Sequence, residues 1–137
     1  EAPILVLEWL GYYLRFMSGR EDDSIEYSKK YLQSFPSDTN PLFNLSYAYG
    51  RKYCNELRAA GVPELLNSQS RLDALSNLRK ALLDQPKMIE RVKKWTVEGG
   101  GVECLQNDKE FRVLVGLDKA VTGDTKPIEE KDMGPTA

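Results

Sequence analysis

Side chains that could perform chemistry are few in this chain. Its 137 residues include no histidine, which excludes Ser–His and Cys–His nucleophile pairs and histidine-bound metals. The neighbouring carboxylates at positions 22–23 and 129–130 are typical of a helix start and a solvated tail. Gly99–Gly101 lacks the Lys-Ser/Thr ending of a phosphate-binding loop. The sequence therefore predicts a protein that is not an enzyme, with no catalytic residue, no metal and no cofactor.

Two cysteines are the remaining reactive groups. Cys54 and Cys104 are far apart in the sequence and match no metal-ligand spacing. Two free thiols are the simpler interpretation, and a disulfide between them is the alternative.

Charge and hydropathy narrow the classes of partner. The chain has 19 basic and 21 acidic residues, without the basic excess typical of a nucleic-acid binder. The apolar run from Pro3 to Met17 is interrupted by Glu8 and Arg15, and it is shorter than the roughly 20 residues of a membrane span. Because the chain starts at Glu1, we expect a processed form or a fragment. We expect an intracellular soluble protein, in the cytoplasm or an organelle interior.

Apolar spacing and capping signals predict a series of helices. Pro3 suits a first helical turn, Ser18-Gly19 ends that helix, and Asp22 or Asp23 can cap the next. The predicted segments are Pro3 to about Met17, Asp22 or Asp23 to Pro36, Asn40-Pro41 to about Ala60, a helix opened by a Ser70-x-x-Asp73 capping box, Lys87 to about Thr96, and a short helix capped by Asn107.

Two stretches share a pattern of anchor residues. Leu7-x2-Leu10-Gly11-x2-Leu14 leads to Ser24 and Pro36, and Leu42-x2-Leu45-Ser46-x2-Tyr49 leads to Ala74 and Pro86. In both, the small residue precedes the proline by 12 positions. These anchors resemble the tetratricopeptide repeat, a 34-residue helix-turn-helix unit. The resemblance covers residues 7–49 and 74–86, and it breaks at 50–70.

The resemblance implies an all-α fold of antiparallel helix-turn-helix repeats. We expect about two such units and a C-terminal helical cap within residues 1–118, an insertion at about 51–69 in the second unit, and a flexible tail at 119–137. Helix-favouring residues from Arg51 to Ala60 predict that the third helix continues past Gly50. Gly11 should allow close approach of the first two helices.

The resemblance also implies a concave binding face, lined by the first helix of each unit. The implied partner-binding residues are Glu8, Trp9, Tyr12, Arg15, Phe43, Asn44, Tyr47, Arg51 and Lys94, with Lys93 beside them. An aromatic floor with basic edges suits a peptide with an acidic end. The alternative is that Trp9, Tyr12 and Phe43 belong to the core. Chaperone-tail-binding members carry Lys and Asn where this chain has Glu8 and Tyr12, which argues against that specialisation.

These patterns predict a non-enzymatic protein–protein interaction module, an adaptor or assembly factor. Its partner is expected to be a protein or peptide and not a nucleic acid. The alternative is a structural subunit embedded in a large complex, with contacts through the insertion at 51–69 and the tail.

Overall fold

The computed structural model describes residues 3–119, which are all-helical and contain no strand. We number the six α-helices of this range in chain order: α1 (Ile4–Leu14), α2 (Glu21–Ser34), α3 (Asn40–Ala60), α4 (Gln69–Asp84), α5 (Ile89–Lys93) and α6 (Lys109–Leu114). Each of the first three long helices packs on the next, so α1–α2 and α3–α4 form consecutive hairpins. The tail predicted at 119–137 lies, apart from Lys119, outside the described residues.

The long third helix confirms the prediction made from the run after Gly50. α3 continues to Ala60, and Gly61 ends it with a left-handed backbone at φ 68°. Its buried side chains recur at helical spacing from Phe43 to Leu57, so the extension packs on α4 as the first half does.

Gly11 lies at the closest approach of α1 and α2. A Cβ at this position would lie 2.4 Å from Ser28 Oγ, and the Ser24 hydroxyl donates to the Gly11 carbonyl at 2.7 Å. Any side chain here must displace the Ser28 hydroxyl, and a bulky one must separate the helices, which is the close approach predicted from the sequence.

The C-terminal segment completes the main hydrophobic core. Val102, Leu105 and Phe111 are buried against α3 and α4. The Tyr47 hydroxyl donates to the Gly100 carbonyl at 2.6 Å, and a Cβ on Gly101 would clash with the same hydroxyl. Gly101 also has φ 101°, a backbone that favours glycine. The glycine run therefore folds tightly over the second hairpin.

Cys54 and Cys104 form a disulfide, so the interpretation as two free thiols is wrong. The bond ties the extended half of α3 to the C-terminal segment. Sequence spacing could not reveal this pairing, because the Cα–Cα distance of 5.5 Å results only from the packing of that segment.

Several predicted helix ends are shifted by one to three residues. α1 ends at Leu14 and not near Met17. α4 is capped by Ser68, which accepts from the Arg71 amide; Ser70 instead donates to Glu56. The cap of α6 is Asp108, not Asn107. At the starts of α4 and α6, a neighbouring polar side chain accepts from a free amide group of the first turn.

The starts of α2 and α3 also differ from the prediction. Asp22 and Asp23 lie inside the first turn of α2, where they face the positive end of the helix dipole. Asn40 is the first residue of α3 and not its cap; its amide donates to Asp38 Oδ1 at 3.0 Å.

The predicted fifth helix is divided into three short pieces. A 3₁₀ turn at Pro86–Met88 leads into α5, and a second at Lys94–Thr96 follows it. Because a 3₁₀ turn advances 120° per residue and an α-helix 100°, side chains after Lys93 do not continue the α-helical face.

The loop between α3 and α4 is held in place by hydrogen bonds. Tyr53 Oη accepts from the Leu65 amide at 3.0 Å, and the Glu56 carboxylate accepts from the hydroxyls of Ser68 and Ser70. The inserted segment is therefore half helix extension and half anchored loop.

Candidate partner-binding groove

A cavity of about 430 Å³, here called the groove, opens between α1, the start of α3 and the segment around α5. Its lining residues are Glu8, Tyr12, Arg15, Asn40, Phe43, Asn44, Gln85, Met88, Arg91 and Trp95. Five of the predicted partner-binding residues are among them: Glu8, Tyr12, Arg15, Phe43 and Asn44. The structure thus brings together first-helix residues of both hairpins.

Arg15 is a buried cation in the wall of the groove. Its side chain is packed among aromatic rings, and its guanidinium carbon lies 4.6 Å from the ring centre of Tyr12, 4.5 Å from Phe16 and 4.8 Å from Tyr47. Cation–π attraction offsets part of the desolvation cost. Burial nevertheless lowers the pKa of Arg15 from its ordinary value, because it disfavours the charged form.

No carboxylate neutralises Arg15 directly within residues 3–119. The side chain forms no ion pair with any described residue. Its Nε–H is buried and has no hydrogen-bond partner. A buried donor of this kind loses its bonds to water without replacement, which is costly for a charged group.

Asn44 repeats this situation on α3. Only 2% of its surface is exposed, and its Nδ2 has no hydrogen-bond partner among residues 3–119. The groove is thus lined by two buried side chains whose donors are unused. Both lack an acceptor, so a ligand that supplies oxygen atoms would complement them.

The rim of the groove carries both signs of charge. Glu8 is half-buried on the α1 side, and Arg91 is exposed on the α5 side. With Arg15 in the wall, basic groups outnumber acidic ones by two to one. Gln85 connects the rim to α3, because its Nε2 donates to Asn40 Oδ1 at 2.9 Å.

Tyr47 and Arg51 lie outside the groove lining and make structural contacts. Tyr47 is 2% exposed within the core, and burial raises its pKa. Arg51 Nε pairs with Glu21 at 3.3 Å, and its Nη1 donates to the Phe16 carbonyl at 3.1 Å. Both side chains connect elements of the protein to one another.

Trp9, Lys93 and Lys94 also lie outside the groove lining. Trp9 is 59% exposed and pairs with Tyr13 at a ring-centre distance of 4.5 Å. Lys93 pairs with Glu90 at 3.1 Å, and Lys94 is exposed. Arg91 lines the groove where the sequence suggested Lys94; it precedes Trp95, another lining residue, by four positions.

Sequence reasoning missed five lining residues. These are Asn40, Gln85, Met88, Arg91 and Trp95. The sequence did indicate that Trp95 faces inward, since it follows Val92 by three positions and shares its predicted helix face. The other positions depend on how the chain turns between α4 and α5.

Within residues 3–119, no cluster of three metal-ligating side chains occurs. None of the described helices is both long and apolar enough to cross a membrane.

No family model, curated protein or solved structure matches this chain.

Proposed function

We propose that this chain is a non-enzymatic protein–protein interaction module, an adaptor or assembly factor, that binds a segment of another protein in the groove. The two unpartnered buried donors, Arg15 Nε and Asn44 Nδ2, are the observation that carries the proposal. A protein segment offers carbonyl and carboxylate oxygens that would accept from both.

A segment with an acidic group suits the groove best. A carboxylate would neutralise Arg15, and hydrogen bonds to a charged group are roughly twice as strong as neutral ones. Phe43, Met88 and Trp95 would contact apolar parts of the same segment. Glu8 on the rim would disfavour a segment whose charge lies on that side.

A tetratricopeptide-like scaffold is part of the proposal. Two consecutive hairpins with a close Gly11 contact support it, because that family also stacks such hairpins and binds ligands on first-helix residues. The groove here is built from α1, α3 and the α5 segment, which are the corresponding positions.

We further propose that the chain works in an oxidising compartment, such as an organelle interior. The disulfide between Cys54 and Cys104 supports this compartment over the cytoplasm, where glutathione keeps thiols reduced.

The test is selection of ligands from a random peptide library displayed on phage, with the full chain as bait. We expect selected peptides to share an acidic residue. Replacing that residue by its amide should weaken binding measured by calorimetry. Asn44→Leu should weaken binding by more than about 1 kcal/mol. Peptides without any acidic preference that bind Asn44→Leu normally would refute the proposal.

The stability of the same variant separates binding from folding. Because Asn44 Nδ2 has no partner to lose, Asn44→Leu should not lower the free energy of unfolding. Lys30→Ala is the matched control: Lys30 lies on α2 and pairs only with the exposed Glu26 in its own helix. It should bind the selected peptide with unchanged affinity.

The second candidate function is an embedded subunit of a large complex. It is favoured by the loop after α3, which exposes Val62, Leu65 and Leu66 although its backbone is anchored. Leu66→Ser should then impair assembly of that complex while the selected peptide still binds the groove.

A further inference from the structure

The outward face of α1 carries a continuous apolar surface, here called the α1 stripe. It consists of Leu5, Val6, Trp9, Tyr13 and, just past the helix end, Phe16. Leu5 is 70% exposed. Leu5, Trp9, Tyr13 and Phe16 follow one another at spacings of four, four and three residues. Such spacings keep most of the stripe on one face of the helix.

The opposite face of α1 is already buried within the fold. Leu7, Gly11 and Leu14 pack inward, and the helix contacts only α2 and α3 to any extent. α1 is therefore apolar on both faces. A contiguous exposed apolar surface is typical of an interaction site, and nothing within residues 3–119 covers the stripe.

The area of the stripe is large enough for a specific interface. From the exposed fractions of its members, and with roughly 150–250 Å² for a whole aromatic side chain, it presents on the order of 500 Å². Two such surfaces together bury about 1,000 Å², the lower size of a specific interface. Met17 and Ile4 enlarge it at the edges.

The stripe is also complementary to itself. All members of the stripe are uncharged. Glu8 lines the groove, and Arg15, just past the end of α1, is buried with its guanidinium against the Phe16 ring. Two copies can therefore meet there without like-charge repulsion. An antiparallel arrangement places the positive end of each helix dipole beside the negative end of the other.

Self-association through this face closes as a dimer. On the other helices of the described range, exposed large apolar residues are separated by polar or charged ones, as Arg79 separates Leu72 from Leu83 on α4. No other helix within residues 3–119 therefore offers a second stripe for head-to-tail growth. A two-fold contact of the stripe with itself satisfies both copies.

We propose that the α1 stripe binds a second copy of this chain, forming an antiparallel α1–α1 dimer. The dimer contact would border the groove, because Tyr12 lines the groove and its ring lies 5.2 Å from that of Tyr13 and 5.3 Å from that of Phe16 in the stripe. The proposal does not depend on the proposed function, since the stripe variants leave Arg15 and Asn44 unchanged.

Sedimentation equilibrium of the full chain over about 1–300 µM is the test. We expect a monomer–dimer equilibrium in the micromolar range, as befits a small interface. Trp9→Glu should weaken dimerisation by at least about 100-fold, since truncation or charge at a central aromatic has effects of this order. Leu5→Glu is a second variant, near the helix start, in case Trp9→Glu alters folding.

Leu83→Glu is the matched control. Leu83 is 81% exposed on α4, more than any stripe residue, and gains the same charge. It should dimerise as the unchanged chain does, and far-ultraviolet circular dichroism should be identical for all variants.

Three results would overturn the proposal. The first is an unsubstituted chain that stays monomeric at the highest concentration. The second is a dimer that persists in both stripe variants. The third is a loss of dimerisation in Leu83→Glu as large as that in Trp9→Glu. A monomer that instead binds neutral phosphatidylcholine vesicles through Trp9 would show a lipid surface as the occupant.

Discussion

Arg71 of α4 and Asp108, the cap of α6, form a buried ion pair with two hydrogen bonds. Arg71 Nε donates to Asp108 Oδ2 at 2.7 Å and Nη2 donates to Oδ1 at 3.2 Å. Arg71 Nη1 also donates to the Leu66 carbonyl at 3.0 Å. The pair therefore joins α4, the loop before it and the C-terminal segment. The hydrogen bonds that Arg71 donates to Asp108 raise the pKa of Arg71.

Asp108→Ala should strongly destabilise the protein. It leaves the Arg71 guanidinium buried without its main partner, and removing one member of a buried pair costs about 3–5 kcal/mol. We expect the lower end, because Glu110 Oε1 lies 3.5 Å from Arg71 Nη2. Urea unfolding measures the change. Asp118→Ala is the control: it breaks only an exposed pair with Arg112 and should have no measurable effect.

Gly11→Leu should lower the free energy of unfolding by about 1–3 kcal/mol. The added side chain meets Ser28, whose Oγ already lies 2.4 Å from an ideal Cβ, so α1 and α2 must separate. Thermal unfolding is the measurement. Ala59→Leu adds three side-chain carbons, one fewer than Gly11→Leu, on the exposed side of α3 and should be nearly neutral. Equal melting temperatures for the two variants would contradict the close contact.

Reduction of the disulfide should lower stability by about 4 kcal/mol, the chain-entropy expectation for a closed loop of this length. The two cysteines are 50 residues apart. Urea unfolding with and without dithiothreitol measures the loss. A double variant, Cys54→Ser with Cys104→Ser, should be as unstable as the reduced protein and insensitive to the reductant. If dithiothreitol also destabilised the double variant, the loss of stability on reduction would have a cause other than this disulfide.

Tyr31 should make stability depend on pH in the alkaline range. Its hydroxyl donates to Asp38 Oδ2 at 2.8 Å, and this bond is the main cause that raises its pKa to about 12. The unfolded pKa is about 10. The folded pKa is the higher one, so this contribution is complete below pH 10 and is lost as the pH rises through about 12.

Urea unfolding at several alkaline pH values, compared with Tyr31→Phe, isolates this contribution. The difference between the two proteins should be constant below pH 10 and shrink above it. A difference that grows with pH would show that the hydrogen bond is absent in solution.

Much of the helical organisation could be read from the sequence. Apolar residues at helical spacing identified α1 to α4, and helix-favouring residues after Gly50 predicted the length of α3. Local signals suffice there, because a helix satisfies its own backbone and needs only a face to bury. The helix ends were less certain: Ser68 and Asp108 compete with neighbouring polar residues for the same role, and packing decides between them.

The groove was only partly predictable. Arg15 and Asn44 belong to helices whose faces follow from periodicity, so their meeting could be expected. Gln85 caps the end of α4 and Arg91 follows the 3₁₀ turn at Pro86–Met88, so their place in the groove depends on how the chain leaves α4. Tyr47 and Arg51 are residue types common in binding sites. In the structure, however, Tyr47 donates to the Gly100 carbonyl and Arg51 pairs with Glu21, and no local pattern reveals these contacts.

By itself, the sequence determined the helical fold class, the four long helices, the absence of histidine chemistry and the close contact at Gly11. The tertiary structure alone decided the Cys54–Cys104 disulfide, the Arg71–Asp108 pair and the unpartnered donors of the groove. The physical reason is the same for all three. Each depends on the relative position of residues more than 25 positions apart in the sequence. Such positions are decided by how the helices pack together, and not by the helix propensity of any one segment.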